Sequence, residues 1–181
     1  MKELIFSQRL PRRLLMACAA DQGGTEMLMQ TKLKLLTVNP AFLQEIKDSN
    51  QELWDTLHAV RQLCDSDQSR ADVARGLVRL LNELRDHLSL QFALEESYGY
   101  LEGRFRWIAG SVIPQLARSQ HCRLFLQLAD LCELAEELQY RGFSLNEVAG
   151  LVEQVELFDQ SLQQHERLEN DLIEISFYDV R

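Results

Sequence analysis

The stretch SLNEVAGLVEQVELFDQSLQQHERLENDL, residues 144–172, decides the fold. It opens on a capping box, in which Ser144 can accept from the first helical N–H groups and Glu147 can reach back to the Ser144 N–H. Behind the cap, Val148, Val155, Phe158 and Leu162 recur at the spacings of one buried helical stripe. The stripe then turns polar: His165 and Glu169 take the next positions before Leu172 restores it. A buried polar group without a partner costs ~1–3 kcal/mol and a buried charge more. A histidine and a glutamate where leucines belong therefore need a reason.

Working outward, only three prolines and eight glycines interrupt the 181 residues, and the segments between them have helical periodicity rather than strand alternation. Asn39 followed by Pro40 starts a helix that should run to about Cys64. The turn DSDQS leads to a second helix from about Ser69 to Tyr98, ending near Gly99. Pro114 opens or kinks a third, which runs to about Tyr140 and is terminated by Gly142. The fourth runs from Ser144 to about Phe177. Short connections make neighbours antiparallel, so the expectation is all-α: an up-down-up-down antiparallel four-helix bundle over residues 38–178. Residues 1–37 form an N-terminal extension, a short helix or irregular.

Composition narrows the function classes. The net charge of −9 argues against nucleic-acid binding, whose footprint is a basic stripe. No apolar run approaches the ~20 residues of a membrane span. The segment RLPRRLLMACAADQ faintly resembles a signal peptide, but its apolar stretch is short and no clear cleavage site follows, so a short helix and a cytoplasmic protein are expected. Cys18, Cys64, Cys122 and Cys132 form no CxxC pair and read as buried free thiols. No Gly-rich phosphate loop and no GxSxG sequence is present, and no enzymatic activity is indicated.

Each of the other helices also carries polar residues within its inner stripe. Leu43, Ile46, Asn50, Leu53, Leu57, Val60 and Cys64 line the first. Val73, Leu77, Leu80, Leu84, then Leu88 or His87, Gln91 and Glu95 line the second. Ala117, His121, Leu124, Leu128, Leu131, Ala135 and Leu138 line the third. In an up-down bundle, Asn50, Gln91, Glu95, His121, His165 and Glu169 converge at one end of the core. Imidazole and carboxylate are ligands for iron, manganese or zinc, and residues at i and i+4 share a helix face. The same set can equally form a water-filled hydrogen-bonded pocket, or His–Glu pairs satisfied without metal.

On these motifs the chain resembles the hemerythrin-like (HHE cation-binding) family. EIKDSNQELWDTL, QFALEESYGYL, SQHCRLFLQLADL and HERLENDL are similar, in order, to the family's four helical motifs. The resemblance spans about residues 38–178 and implies a four-helix bundle with a non-haem iron site that binds dioxygen, senses it or handles iron. Glu95, His121, His165 and Glu169 match the family's ligand positions. Asn50 and Gln91 stand where it has histidines, and an amide is a weaker donor than imidazole. A mononuclear or reduced site is therefore expected in place of a full two-iron centre, with Gln91, Asn50 and His87 as additional or supporting residues. His58 lies beside the stripe and pairs more naturally with Asp55.

The alternative is a metal-free bundle acting as an interaction module, with Arg104, Phe105, Arg106 and Trp107 as the best candidate contact surface, although residues of this kind more often simply close the end of a bundle. A ferritin-like carboxylate site is excluded, because no histidine has a glutamate three residues before it.

Overall fold

The computed structural model describes residues 35–103 and 113–178. The expected contact surface at Arg104–Trp107, the segment preceding Leu35 and Cys18 lie outside them. The described residues are predominantly helical. In chain order the elements are β1 (Leu35–Val38), α1 (Pro40–Ser49), α2 (Gln51–Cys64), α3 (Arg70–Leu94), a π-helical turn (Glu95–Gly99), β2 (Tyr100–Gly103), α4 (Ile113–Arg141) and α5 (Leu145–Tyr178). No helix among the described residues is long and apolar enough to cross a membrane.

The helix signals are realised by local chemistry. Asn39 Oδ1 accepts from Phe42 N, and Pro40 takes the first helical position. Ser69 caps α3 through Asp72 N. The capping box before α5 is closed at both ends: Ser144 N donates to Glu147 Oε2 at 2.7 Å, and Glu147 N donates to Ser144 Oγ at 3.3 Å. Gly142, at φ 81°, ends α4 in the left-handed conformation that glycine adopts without penalty.

Two features depart from the expected pattern. The single first helix is two helices, because Asn50 is itself an N-cap: at φ −95°, ψ 56° it leaves helical geometry, and its Oδ1 accepts from Leu53 N. The second departure is a two-stranded antiparallel ribbon, β1 with β2, where no strand was expected; Val38 pairs with Tyr100 and Leu36 with Glu102. Four residues per strand are too few for alternation to show in the sequence. The expected boundary at residue 37 falls inside this ribbon.

Consecutive helices α2, α3, α4 and α5 pack against one another, and α1 lies on α5 and the π turn. Arg61 in α2 reaches Asp159 in α5 through both Nε (2.9 Å) and Nη2 (2.7 Å). The main apolar core contains Leu57, Leu77, Leu84, Leu128, Val155 and Leu162, among others. A smaller one, of Leu36, Leu43, Tyr100, Ala117, Leu172 and Ile173, lies under the ribbon. In α4, His121 falls between Ala117 of the small core and Leu124 of the large one; in α5, His165 and Glu169 fall between Leu162 and Leu172. The polar residues thus form a layer between two apolar cores, and the ribbon closes over it.

The ribbon is seated by Gly99, whose carbonyl accepts from Asn39 N at 2.7 Å. A Cβ at Gly99 would meet the Leu43 side chain, with Cγ at 2.9 Å. Gly99→Ala should therefore push Leu43 out of the small core and cost about 1–3 kcal/mol, the usual range for overpacking. Urea denaturation checks this; an unchanged midpoint would show that Leu43 yields freely.

Candidate metal centre

Three chain segments supply the four candidate ligands of the polar layer. The π turn supplies Glu95, at the point where α3 loosens from α-helical bonding, a distortion often found at functional sites. Helix α4 supplies His121, and α5 supplies His165 and, one turn later, Glu169. All four side chains are buried, and one ligand atom from each can be chosen so that the set lies within 4.8 Å of one another. His121 Nε2 is 3.4 Å from Glu95 Oε2 and 3.5 Å from Glu169 Oε1; His165 Nε2 is also 3.5 Å from Glu169 Oε1.

Most of the atoms that face the centre lack hydrogen bonds. Both carboxylate oxygens of Glu95, His121 Nε2 and His165 Nε2 are buried and have no partner. The opposite ring nitrogens are both held. His121 Nδ1 lies 3.1 Å from Glu96 Oε1, and His165 Nδ1 lies 3.0 Å from Gln120 Oε1. In the neutral ring, an Nδ1–H donated to each oxygen leaves the Nε2 lone pair pointing inward, which is how metal-binding imidazoles are oriented. Phe92 stacks on His121 at 4.1 Å between centroids and meets His165 edge-on at 5.6 Å. That ring fixes both imidazoles from the side of the main core.

Glu169 differs from Glu95 in being fully engaged. Its Oε1 accepts from Tyr100 Oη at 2.6 Å and its Oε2 from Lys47 Nζ at 3.0 Å. Lys47 also pairs with Glu166 Oε2 at 2.5 Å. Glu166 Oε1 accepts from Gln91 Nε2 at 3.3 Å, and Gln91 Oε1 accepts from Asn50 Nδ2 at 3.0 Å. The two amides therefore belong to a hydrogen-bonded chain ending on Lys47. His87 is outside the layer, half-buried and 3.9 Å from Glu52. His58 is exposed and bonds Gln62 at 2.9 Å instead of the expected Asp55.

Lys47, Glu166, Tyr100, Glu96 and Gln120 were not identified from the sequence. For the first two a signal exists. Lys47 lies four residues after Leu43 and three before Asn50, and Glu166 four after Leu162 and three before Glu169, so both share the buried stripe. Tyr100 comes from a strand with no periodicity to read. Cys64 and Cys132 are free thiols, and burial first, then nearby carboxylates for Cys64, pushes each up to about 11, away from reactivity. Cys122 is not free, contrary to expectation.

The electrostatics follow from burial. Burial and the neighbouring Glu169 lift Glu95 to about 9. Burial opposes ionisation of Glu169 too, but His121, His165, Lys47 and Tyr100 outweigh it and hold the group below the usual carboxylate range. Burial disfavours a charged His121, yet Glu169, Glu96 and Glu95 raise it to about 9. His165, with burial dominant, falls to about 4 and is neutral. Burial would also lower Lys47, but Glu169 and Glu166 prevail and keep it charged. Without an ion, protons on Glu95 and His121 balance the layer.

Comparison with protein-family models, with curated proteins and with solved structures gave no match.

Between about pH 6.5 and 9, folded metal-free protein holds protons on Glu95 and His121 that the unfolded chain has released. Stability must then fall as pH rises through this window. Urea denaturation of chelator-treated protein should show that slope, and Glu95→Gln should make it shallower while stabilising the metal-free state by about 1–3 kcal/mol. A flat or rising profile would contradict the assignment.

Proposed function

We propose that this chain is a divergent hemerythrin-like up-down four-helix bundle that holds one non-haem divalent metal ion, iron being the favoured identity. The observation that supports this best is the set of four partnerless buried atoms, Glu95 Oε1 and Oε2, His121 Nε2 and His165 Nε2, gathered at one point. Two histidines and one carboxylate form the ligand set associated with non-haem Fe(II) that keeps open positions. Glu169, fixed by Lys47 and Tyr100, offers Oε1 toward both ring nitrogens as a fourth donor.

The fit is chemical as well as geometric. His165 presents a lone pair and His121 does so once its Nε2 proton leaves; each ring is held by an outer acceptor, and the protons on Glu95 and His121 are ones that a cation would displace. A bound iron would supply Lewis acidity and one-electron redox chemistry. The protein's part is to orient the rings through Glu96 and Gln120, to exclude water with Phe92 and the ribbon, and to keep a proton on Tyr100, whose hydroxyl is held above its usual range by burial and Glu169. Dioxygen sensing or binding, or iron handling, is the activity class that the resemblance favours. Reversible dioxygen binding at a two-iron centre is disfavoured, because Asn50 and Gln91 are tied to each other and to the Glu166 carboxylate.

The metal-free interaction module draws support from one observation: Lys47 and Tyr100 satisfy Glu169 without an ion. It leaves Glu95 and both Nε2 atoms without a role.

The decisive experiment is elemental analysis of protein from iron-supplemented cells, followed by chelation and anaerobic titration with Co(II), whose visible absorption reports coordination. About one ion per chain is expected. Binding should release about two protons near neutral pH, from Glu95 and His121, so affinity should rise up to about pH 9. His121→Ala and His165→Ala should lose more than the ~10–100-fold typical of residues that merely orient a ligand. Gln120→Ala should fall within that range. His87→Ala and His58→Ala should bind as the parent does. No metal from any supplement would leave the interaction module as the reading.

A further inference from the structure

Beside the candidate metal pocket lies a second arrangement of donors that already surrounds a cation. Lys47 Nζ is 2.5 Å from Glu166 Oε2 and 3.0 Å from Glu169 Oε2. All three groups are almost wholly buried. Gln91 and Asn50 extend the same network by hydrogen bonds. Glu169 is shared: Oε1 faces the two histidines and Oε2 faces the ammonium.

We infer that Lys47 is a tethered cation occupying a second cation subsite, formed by Glu166 and Glu169, and that it limits this centre to one metal ion. The inference rests on the metal-binding reading above and adds to it a residue that sets the stoichiometry. Charge balance points the same way. Glu95, Glu166 and Glu169 are three carboxylates in a layer between apolar cores, and an isolated charge in such a place is strongly disfavoured. One ammonium and one divalent ion neutralise them, with both histidines neutral as ligands. Two divalent ions with the ammonium retained would leave a buried excess of positive charge. The geometry adds a steric reason: at 2.5 and 3.0 Å from its two carboxylates, the ammonium leaves no space for an ion between them.

Lys47 comes from α1, the short helix that Asn50 separates from α2. Its neighbour Trp54 donates from Nε1 to the Lys47 carbonyl at 3.3 Å, which ties the start of α2 to the residue carrying the ammonium. The subsite is thus held from the backbone as well as the side chain.

The test is the number of Co(II) ions bound per chain by the full-length protein, read by elemental analysis and visible titration, for the parent, Lys47→Ser and Lys47→Gln. Serine removes the cation and opens the space; glutamine removes the charge and is one bond shorter, so it withdraws from between the carboxylates while staying polar. The parent should bind about one ion and both variants about two. One ion in all three would overturn the Lys47 role while leaving the metal centre standing. Two ions in the parent would overturn it as well, because the ammonium would not then be filling the subsite. No ion in the parent would overturn the metal reading and this inference with it. Should Lys47→Ser unfold without metal, circular dichroism during the titration supplies the readout: refolding complete only after about two equivalents supports the inference, and refolding complete after one contradicts it.

Discussion

Everything in this structure turns on burying three carboxylates, Glu95, Glu166 and Glu169, between two layers of leucine. Alone, each would cost several kcal/mol of lost solvation. The chain answers differently for each. Glu169 receives a lysine and a tyrosine, Glu166 receives the same lysine and an amide, and Glu95 receives no hydrogen bond, only His121 Nε2 at 3.4 Å. The asymmetry carries the information. The Glu95 carboxylate faces two imidazole nitrogens that also lack hydrogen bonds, and a cation bound among the three is the reading proposed above.

The fold places that layer with irregular elements as much as with helices. A continuous first helix would put the residues after Asn50 in helical register with Lys47. The break at Asn50 frees α1 to lie on α5 and the π turn, where Lys47 reaches both carboxylates. The π turn widens the end of α3 at Glu95, and the chain then passes directly into β2, which brings Tyr100 onto Glu169. One cap, one widened turn and one short ribbon therefore assemble the engaged half of the centre. Of the half left open, His121 and His165 come from regular positions on α4 and α5, and Glu95 from the π turn itself.

This division explains what was legible in the sequence. The helices and their caps could be read because capping and apolar periodicity are local: Asn39, Ser69, the Ser144–Glu147 box and Gly142 all act within one turn of where they sit. The convergence of Glu95, His121, His165 and Glu169 could also be read, since each interrupts a stripe of leucines. The helix break was not, because Asn50 looks the same whether it extends a stripe or caps a new helix. Lys47 and Glu166 were passed over for a related reason. Each sits beside a residue that already satisfied the stripe, Ile46 and His165, and a long charged side chain next to a core position ordinarily reaches for solvent. The ribbon and Tyr100 depend on pairing across more than sixty residues, for which four-residue strands carry no periodic trace.

The two amides also take on a different meaning. Read along the sequence, Asn50 and Gln91 are weak donors at positions where the resemblance implies histidines. In three dimensions they form a relay, Asn50 to Gln91 to Glu166, that ends on the lysine. An imidazole at Gln91 would have to offer a donor to Glu166 or compete with Lys47 for it, and an imidazole at Asn50 would give up the carboxamide oxygen that caps α2. An amide suits both places because it donates on one side and accepts on the other while remaining neutral at every pH the protein meets. Asn50, Gln91 and Lys47 therefore act as one physical unit. The second half of the polar layer carries its own positive charge, and its neighbours are the neutral groups that such a charge and its two carboxylates can tolerate.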